Sequence, residues 1–251
     1  AAAKAALGFS PDDHFVVDIF RVIGGQQHDL AFHSLSGDDG TLFEVTCDEA
    51  LAGRPGTLAG EDTEYQAETD NGYTYIRDIR HGFVEDSFSA TWRVGDEEDS
   101  AYRIHLPGQD ERIVMTGRGE NRGTAGKSPL DAYMILRRAG RAPLSSTFIA
   151  IHEPFQGDDL GLTVEILPMS NYDENRMPAG IRVATAGGKE YRLQSVIVPL
   201  EEGERYEGPQ SLLIEGPQGS LAVNWPPSVD GEPARGEIVE VDYETKRMKV
   251  T

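Results

Sequence analysis

No stretch of this chain sustains a helical period. Apolar residues alternate instead over short runs, and turn residues cut those runs every 8 to 15 positions. Glycine (28) and proline (14) punctuate the whole of its 251 residues, which rules against a bundle. The pattern predicts an all-β chain: an antiparallel β-sandwich, supersandwich-like, with two packed β units. The first unit is expected over residues 1–156 and a smaller sandwich domain over 157–251, with "QGDDLG" as the boundary.

The expected strands of the first unit are "HFVVDIFRV", "QHDLAFHS", "TLFEVTC", "YTYIRDIRHG", "SFSATWRV", "SAYRIHLP", "ERIVMTGRG", "DAYMILRRAG" and "STFIAIHEPF". Two irregular tracts interrupt them. One runs from Leu51 to Asn71 and, at that length, reads as functional or mobile. The other, "GRGENRGTAGKSP", is basic and Gly-rich but lacks phosphate-loop spacing, so it reads as a mobile loop. After Phe155 come "LTVEILPM", "AGIRVATAGG", "KEYRLQSVIVPL", "QSLLIEG", "GSLAVNW" and "GEIVEVDYETKRMKV".

Charge narrows the partners. A net charge of −20 repels phosphate backbones and argues against nucleic acid. No apolar run approaches the ~18 residues of a membrane span. Cys47 is the single cysteine, so no intrachain disulfide forms, and it reads as a small buried hydrophobe. The acidic loops "SGDDG", "GDEEDS" and "QGDDLG" leave a divalent metal such as Ca or Zn open, but none carries a complete loop signature, and no metal ligand set is assigned.

The run "DHFVVDIFRVIGGQQHDLAFHS" carries more ionisable groups than a buried hairpin needs. A two-residue Gly24-Gly25 turn sets Arg21 opposite His28 and Phe20 opposite Asp29. Alternation then places Asp18, Asp29 and His33 on one face, with Arg21 and His28 on the other. Asp29 and His33 lie about 13 Å apart at ~3.3 Å per residue, too far to share one ion. The face reads as a polar network or a sugar-gripping surface. Arg21 needs a carboxylate, from the protein or from an acidic sugar. Further sugar contacts are expected from Tyr73 and Tyr75 on one strand face, from Arg77 continuing it, and from Trp92, although a sandwich buries most such rings. Glu153, beside a proline, reads as a loop-fixing carboxylate. Tyr73, Tyr75, His28, His33, His81 and His105 could act as acid or base, but no spacing pairs them, so no catalytic residue is assigned.

The run "FVVDIFRVIGGQQHDLAFHS", followed in order by "GTLAGEDTEYQ", "FSATWRV" and "STFIAIHEPFQG", resembles the β-sheet region of heparinase II/III-like polysaccharide lyases over roughly residues 9 to 160. The resemblance implies an N-terminal α/α toroid in the parent enzyme, with the sugar cleft between toroid and sheet. It also implies β-elimination on uronate polymers such as alginate or glycosaminoglycans, in a secreted or periplasmic setting. The catalytic segments of that family find no counterpart here. The chain is therefore expected to be the distal, non-catalytic β portion, with the toroid and an anionic polysaccharide as partners. A stand-alone carbohydrate-binding module and a structural assembly module are the alternatives.

Overall fold

The computed structural model describes residues 14–33, 41–66, 71–94, 100–109, 112–119, 130–169, 177–197, 211–217, 219–223, 238–242 and 247–250. Seventeen strands run through them: β1 (Val16–Ile23), β2 (Gln27–His33), β3 (Thr41–Val45), β4 (Ala52–Gly53), β5 (Ile76–Phe83), β6 (Phe88–Val94), β7 (Ser100–Leu106), β8 (Ile113–Gly119), β9 (Asp131–Ala139), β10 (Ser145–Gln156), β11 (Thr163–Leu167), β12 (Ala179–Ala184), β13 (Glu190–Val196), β14 (Ser211–Gly216), β15 (Gly219–Val223), β16 (Ile238–Asp242) and β17 (Arg247–Val250). Only two short 3-10 turns, Asp48–Ala50 and Gly72–Tyr75, interrupt this all-β architecture among the described residues. Nothing there is a helix long and apolar enough to cross a membrane.

The chain divides into two compact units. One comprises residues 25–144 and 148–159, the other residues 1–24, 145–147 and 160–251. In the first unit, β2-β9-β8-β5-β4 form one antiparallel sheet, and β10, β7, β6 and β3 neighbour one another in that order in a second. Trp92 joins the two layers: its ring is 3% exposed and its indole N–H donates to the Ala132 carbonyl at 3.2 Å. Around it, cross-strand rows such as Ala90↔Ile104 and Phe88↔Leu106 fill the interior. The β2-containing sheet is also covered on its outer side, where Leu58, Ile76, Ile79, Met115 and Ile135 cluster.

That outer cluster overturns the mobile reading of the long tract, over its described part to residue 66. Leu58 is 2% exposed, and the Arg54 and Leu58 amides donate to the Ile79 and Ile76 carbonyls at 2.9 and 2.8 Å. Gly56 sits at φ +75°, where a Cβ would lie 2.2 Å from the Gly60 carbonyl oxygen, so only glycine closes this turn.

In the second unit, β11-β12-β13-β14-β15 form an antiparallel meander. Its apolar rows, such as Ile181↔Leu193↔Ile214, run across the sheet as strand alternation requires. β16 and β17 pair as a two-stranded ribbon.

The opening hairpin is the main correction. β1 and β2 lie in different sheets, and β2 pairs with β9, setting Asp29 opposite Arg137 and His28 opposite Arg138. Gly24 has φ +114°, far from the ~+60° that a two-residue hairpin turn needs at its first position. The charges explain the outcome. A hairpin would have set Arg21 against His28, whereas here Arg21 and Asp29 each find hydrogen-bonding partners within their own unit. The hairpin register that grouped Asp18 with Asp29 and His33 is replaced by the β2–β9 register.

Arg112 is 1% exposed and donates to three carbonyls: Val84 at 3.2 Å, Pro107 at 2.8 Å and Asp86 at 2.9 Å. Its guanidinium also lies 4.8 Å from the Phe88 ring centroid. Burial pulls its pKa down to about 10, which leaves it charged at neutral pH. We expect Arg112→Met to orphan all three carbonyls and to cost about 3 kcal/mol or more in urea unfolding. Arg112→Lys, with no planar fork, should recover only part of that loss.

Candidate functional site

The sequence-expected sugar contacts fall into separate places. Arg21 belongs to the second unit, where its Nε donates to the Met177 carbonyl at 2.9 Å and a terminal nitrogen donates to Ser195 Oγ and O at 3.0 and 3.2 Å. Main-chain oxygens and a serine thus take the role expected of a carboxylate. Arg21 lines a largely apolar cavity of about 430 Å³ together with Phe15, Ile19, Tyr191, Leu193 and Ile214.

The remaining candidates lie in the first unit. His28 is buried opposite Arg138, and the exposed His33 stacks on Tyr133 with centroids 5.0 Å apart. Trp92, buried in the core with its N–H engaged, has no ring face open to a sugar. Arg77 lies 4.8 Å over the ring of Tyr65. Tyr73 and Tyr75 stand on the 3-10 turn, not on a strand face, because the Asn71 side chain accepts the Tyr73 amide and curls the backbone there. Tyr75 is half-buried.

Two of the expected residues do meet. The Tyr73 hydroxyl donates to Asp29 Oδ2 at 2.6 Å. Arg137, which the sequence reading passed over, clamps the same carboxylate with Nε to Oδ1 at 2.8 Å and a terminal nitrogen to Oδ2 at 2.7 Å. Gln27 adds a donor at 3.2 Å. Burial by itself would raise the Asp29 carboxyl, but these donors, Arg137 foremost, outweigh it and hold the group below the usual carboxylate range. Burial and the Asp29 acceptor push the Tyr73 phenol up to about 12. With four hydrogen bonds arriving at its two oxygens, Asp29 has little capacity left for a ligand. This constellation is a lock that fastens the Gly72–Tyr75 turn to β2.

Other polar clusters are likewise committed. Glu153, fully buried within β10 rather than in a loop, meets His105 Nε2 at 2.7 Å. Arg103 donates to Thr91 Oγ1 at 3.1 Å, pairs with Asp159 and covers the Phe155 ring. The Tyr102 hydroxyl lies 2.6 Å from His152 Nδ1. Burial pushes the half-buried Cys47 thiol up, which fits a small hydrophobe and not a nucleophile. Among the described residues no group of three or more His, Cys, Asp or Glu side chains could hold a metal. Trp225, "SGDDG", residues 95–99 of "GDEEDS" and residues 120–129 of the basic tract lie outside the described residues.

The first unit does hold an open groove of about 630 Å³, lined from β3 by Phe43, Glu44 and Val45, from β5 by Asp78 and Arg80, from β8 by Thr116, Gly117 and Arg118, and by Thr46 and Asp48. Strand order explains it. β3 ends its sheet, so the two layers part beside it. β5 carries a bulge there, its pairing with β8 jumping from Arg77↔Arg118 to Arg80↔Thr116. Asp78 sits in the bulge at φ +55°. Bulges re-aim side chains, and a non-glycine residue held at positive φ is a mark of functional surfaces. Arg80 pairs with Asp48 and donates to the Asp48 and Leu51 carbonyls at 3.0 and 2.8 Å, and this contact holds the Asp48 carboxyl below its usual range. The side chains of Glu44, Asp78 and Arg118 make no hydrogen bond or ion pair among the described residues, and Glu44, opposite Thr91, alternates onto the face of β3 away from Phe43 and Trp92.

None of these groove residues stood out in the sequence reading. One signal was there: Ile76 and Ile79 join the same buried cluster although three positions apart, a spacing that marks a bulge in a strand of period two.

The lock yields a titration. Asp29, with its pKa depressed, contributes stability that is present above the ordinary value of 3.8 and lost as pH falls through its lower folded value. Tyr73, with its pKa raised, contributes stability that is complete below 10 and lost as pH rises through about 12. In an ultraviolet titration, Tyr73→Phe should therefore remove a tyrosinate step near 12 and leave the remaining steps intact. Asp29→Asn should flatten the acid limb of the stability curve just below 3.8.

No family model matches the chain, and no curated protein matches it.

Proposed function

We propose that this chain is the non-catalytic, polysaccharide-binding β-sandwich portion of a heparinase II/III-like lyase, and that the groove beside β3 and the β5 bulge is its sugar site. The observation that carries the reading is the groove itself: an open channel of about 630 Å³ lined by Asp78 and Arg118, whose side chains make no hydrogen bond or ion pair among the described residues. Such a volume lies within the range of about 300–1,000 Å³ typical of ligand sites. Sugars offer hydroxyls that both donate and accept, so carboxylates and a guanidinium together can grip one ring. An acidic sugar adds a carboxylate for Arg118, a charge-assisted pairing roughly twice as strong as a neutral hydrogen bond. The order of the motifs resembling the lyase family supports the same assignment.

Isothermal titration with saturated uronate oligosaccharides tests this. Arg118→Ala should weaken binding about tenfold or more, in line with one charged hydrogen-bonding group, while the melting temperature stays put. Tyr73→Phe, a change in the lock, should leave affinity unchanged. The chain should release no unsaturated uronate from these polymers. Binding that survives Arg118→Ala intact would move the site elsewhere.

A further inference from the structure

β3 ends its sheet, and hydrogen-bond alternation tells which of its backbone groups this leaves unused. The Thr46 amide donates at 2.9 Å to the carbonyl of Ser89, the residue across from it when the β3–β6 register is continued. Glu44 and Leu42 therefore also bond to β6, whereas Phe43 and Val45 turn their N–H and C=O groups away from it. No backbone bond reaches Phe43 or Val45 from that other side among the described residues. Both residues line the groove, so these open backbone groups border free space.

Such an edge templates strand addition, and proteins blunt one with lysine, proline or a bulge. "TLFEV" has no lysine and no proline, and its register with β6 is unbroken. Leu42 is 71% exposed on the outer face of the strand. The one charge on β3, Glu44, is exposed on that same face. Arg93, across from Leu42 on β6, stands one strand further from the edge. Pairing with a second copy is disfavoured, because it brings a net −20 against another −20. A basic strand meets the opposite situation. The field of the chain draws it in, and a cation directly across from Glu44 forms a stabilising cross-strand pair.

We propose that the free edge of β3 binds an extended basic segment of a partner protein by antiparallel strand addition. The added backbone pairs with the N–H and C=O groups of Phe43 and Val45. Its inward side chains are apolar and enter the groove beside those two residues, and its outward side chains are basic and flank Glu44. The inference goes beyond sugar binding and uses neither Asp78 nor Arg118. A strand and a sugar would occupy the groove in turn, so each reading stands or falls alone.

The test is fluorescence anisotropy of the whole chain with a labelled octapeptide of alternating valine and lysine, at about 0.15 M salt so that distant charges are screened. Binding should saturate, and it should weaken about tenfold or more when the valine amides, which face β3, are N-methylated. Val45→Pro removes one outward N–H without touching the β3–β6 ladder, a place where an edge strand tolerates proline, and should weaken the unmethylated peptide similarly. Glu44→Lys, at an exposed position, should weaken it severalfold and serves alone if the melting curve shows that proline disturbs the strand. Equal affinity for the methylated and unmethylated peptides means attraction by charge alone and overturns strand addition. Absence of binding overturns it too, as does a dimer in sedimentation velocity that Glu44→Lys or Val45→Pro dissociates, which gives the edge to a second copy. Each of these results leaves the sugar reading untouched.

Discussion

The first unit depends on one buried cation. Both described connections that carry the chain between its two sheets at this end, β5 to β6 through Val84 and Asp86 and β7 to β8 through Pro107, place a carbonyl on the Arg112 guanidinium. A loop that crosses between layers cannot satisfy those oxygens in a ladder. Five N–H donors in a rigid fork serve several at once. Desolvating the charge is costly, as its lowered pKa shows, and the three carbonyls and the Phe88 ring offset that cost. Lysine's flexible point charge would be a poor substitute.

A second pattern separates the saturated charges from those that line the groove. Asp29 is saturated by Arg137, Tyr73 and Gln27, and Arg21 by Met177 and Ser195. Each ties together segments remote in sequence, and each has little capacity left for anything else. The groove differs because its layers part beside β3 and its strand geometry breaks at the bulge. Asp78 and Arg118 line it without a side-chain hydrogen bond or ion pair among the described residues.

The fold class was legible because period-two alternation is local: each strand declares its own two faces. The opening run shows where that logic stops. Asp29 and His33 do share a face of β2, as alternation demands, but the partner across from them is β9, more than 100 residues on. Gly24-Gly25 permits a tight turn without requiring one. Trp92 looked like a sugar platform by residue type, and burial made it the rivet between layers. The Leu51–Asn71 tract looked loose by composition, yet Leu58 anchors it to a second apolar cluster.

The sequence by itself determined that this chain would be sheet throughout, acidic, and without a disulfide, since alternation, charge and cysteine count act residue by residue. Tertiary structure decided which strands became neighbours, which charges were satisfied, and which were left lining a groove. Strand pairing is a competition among distant segments, won by the arrangement that buries apolar rows and engages interior charges such as Arg112 and Glu153. Nothing local records who wins, and β3, β5 and β8 came to line one groove only as a consequence of that outcome.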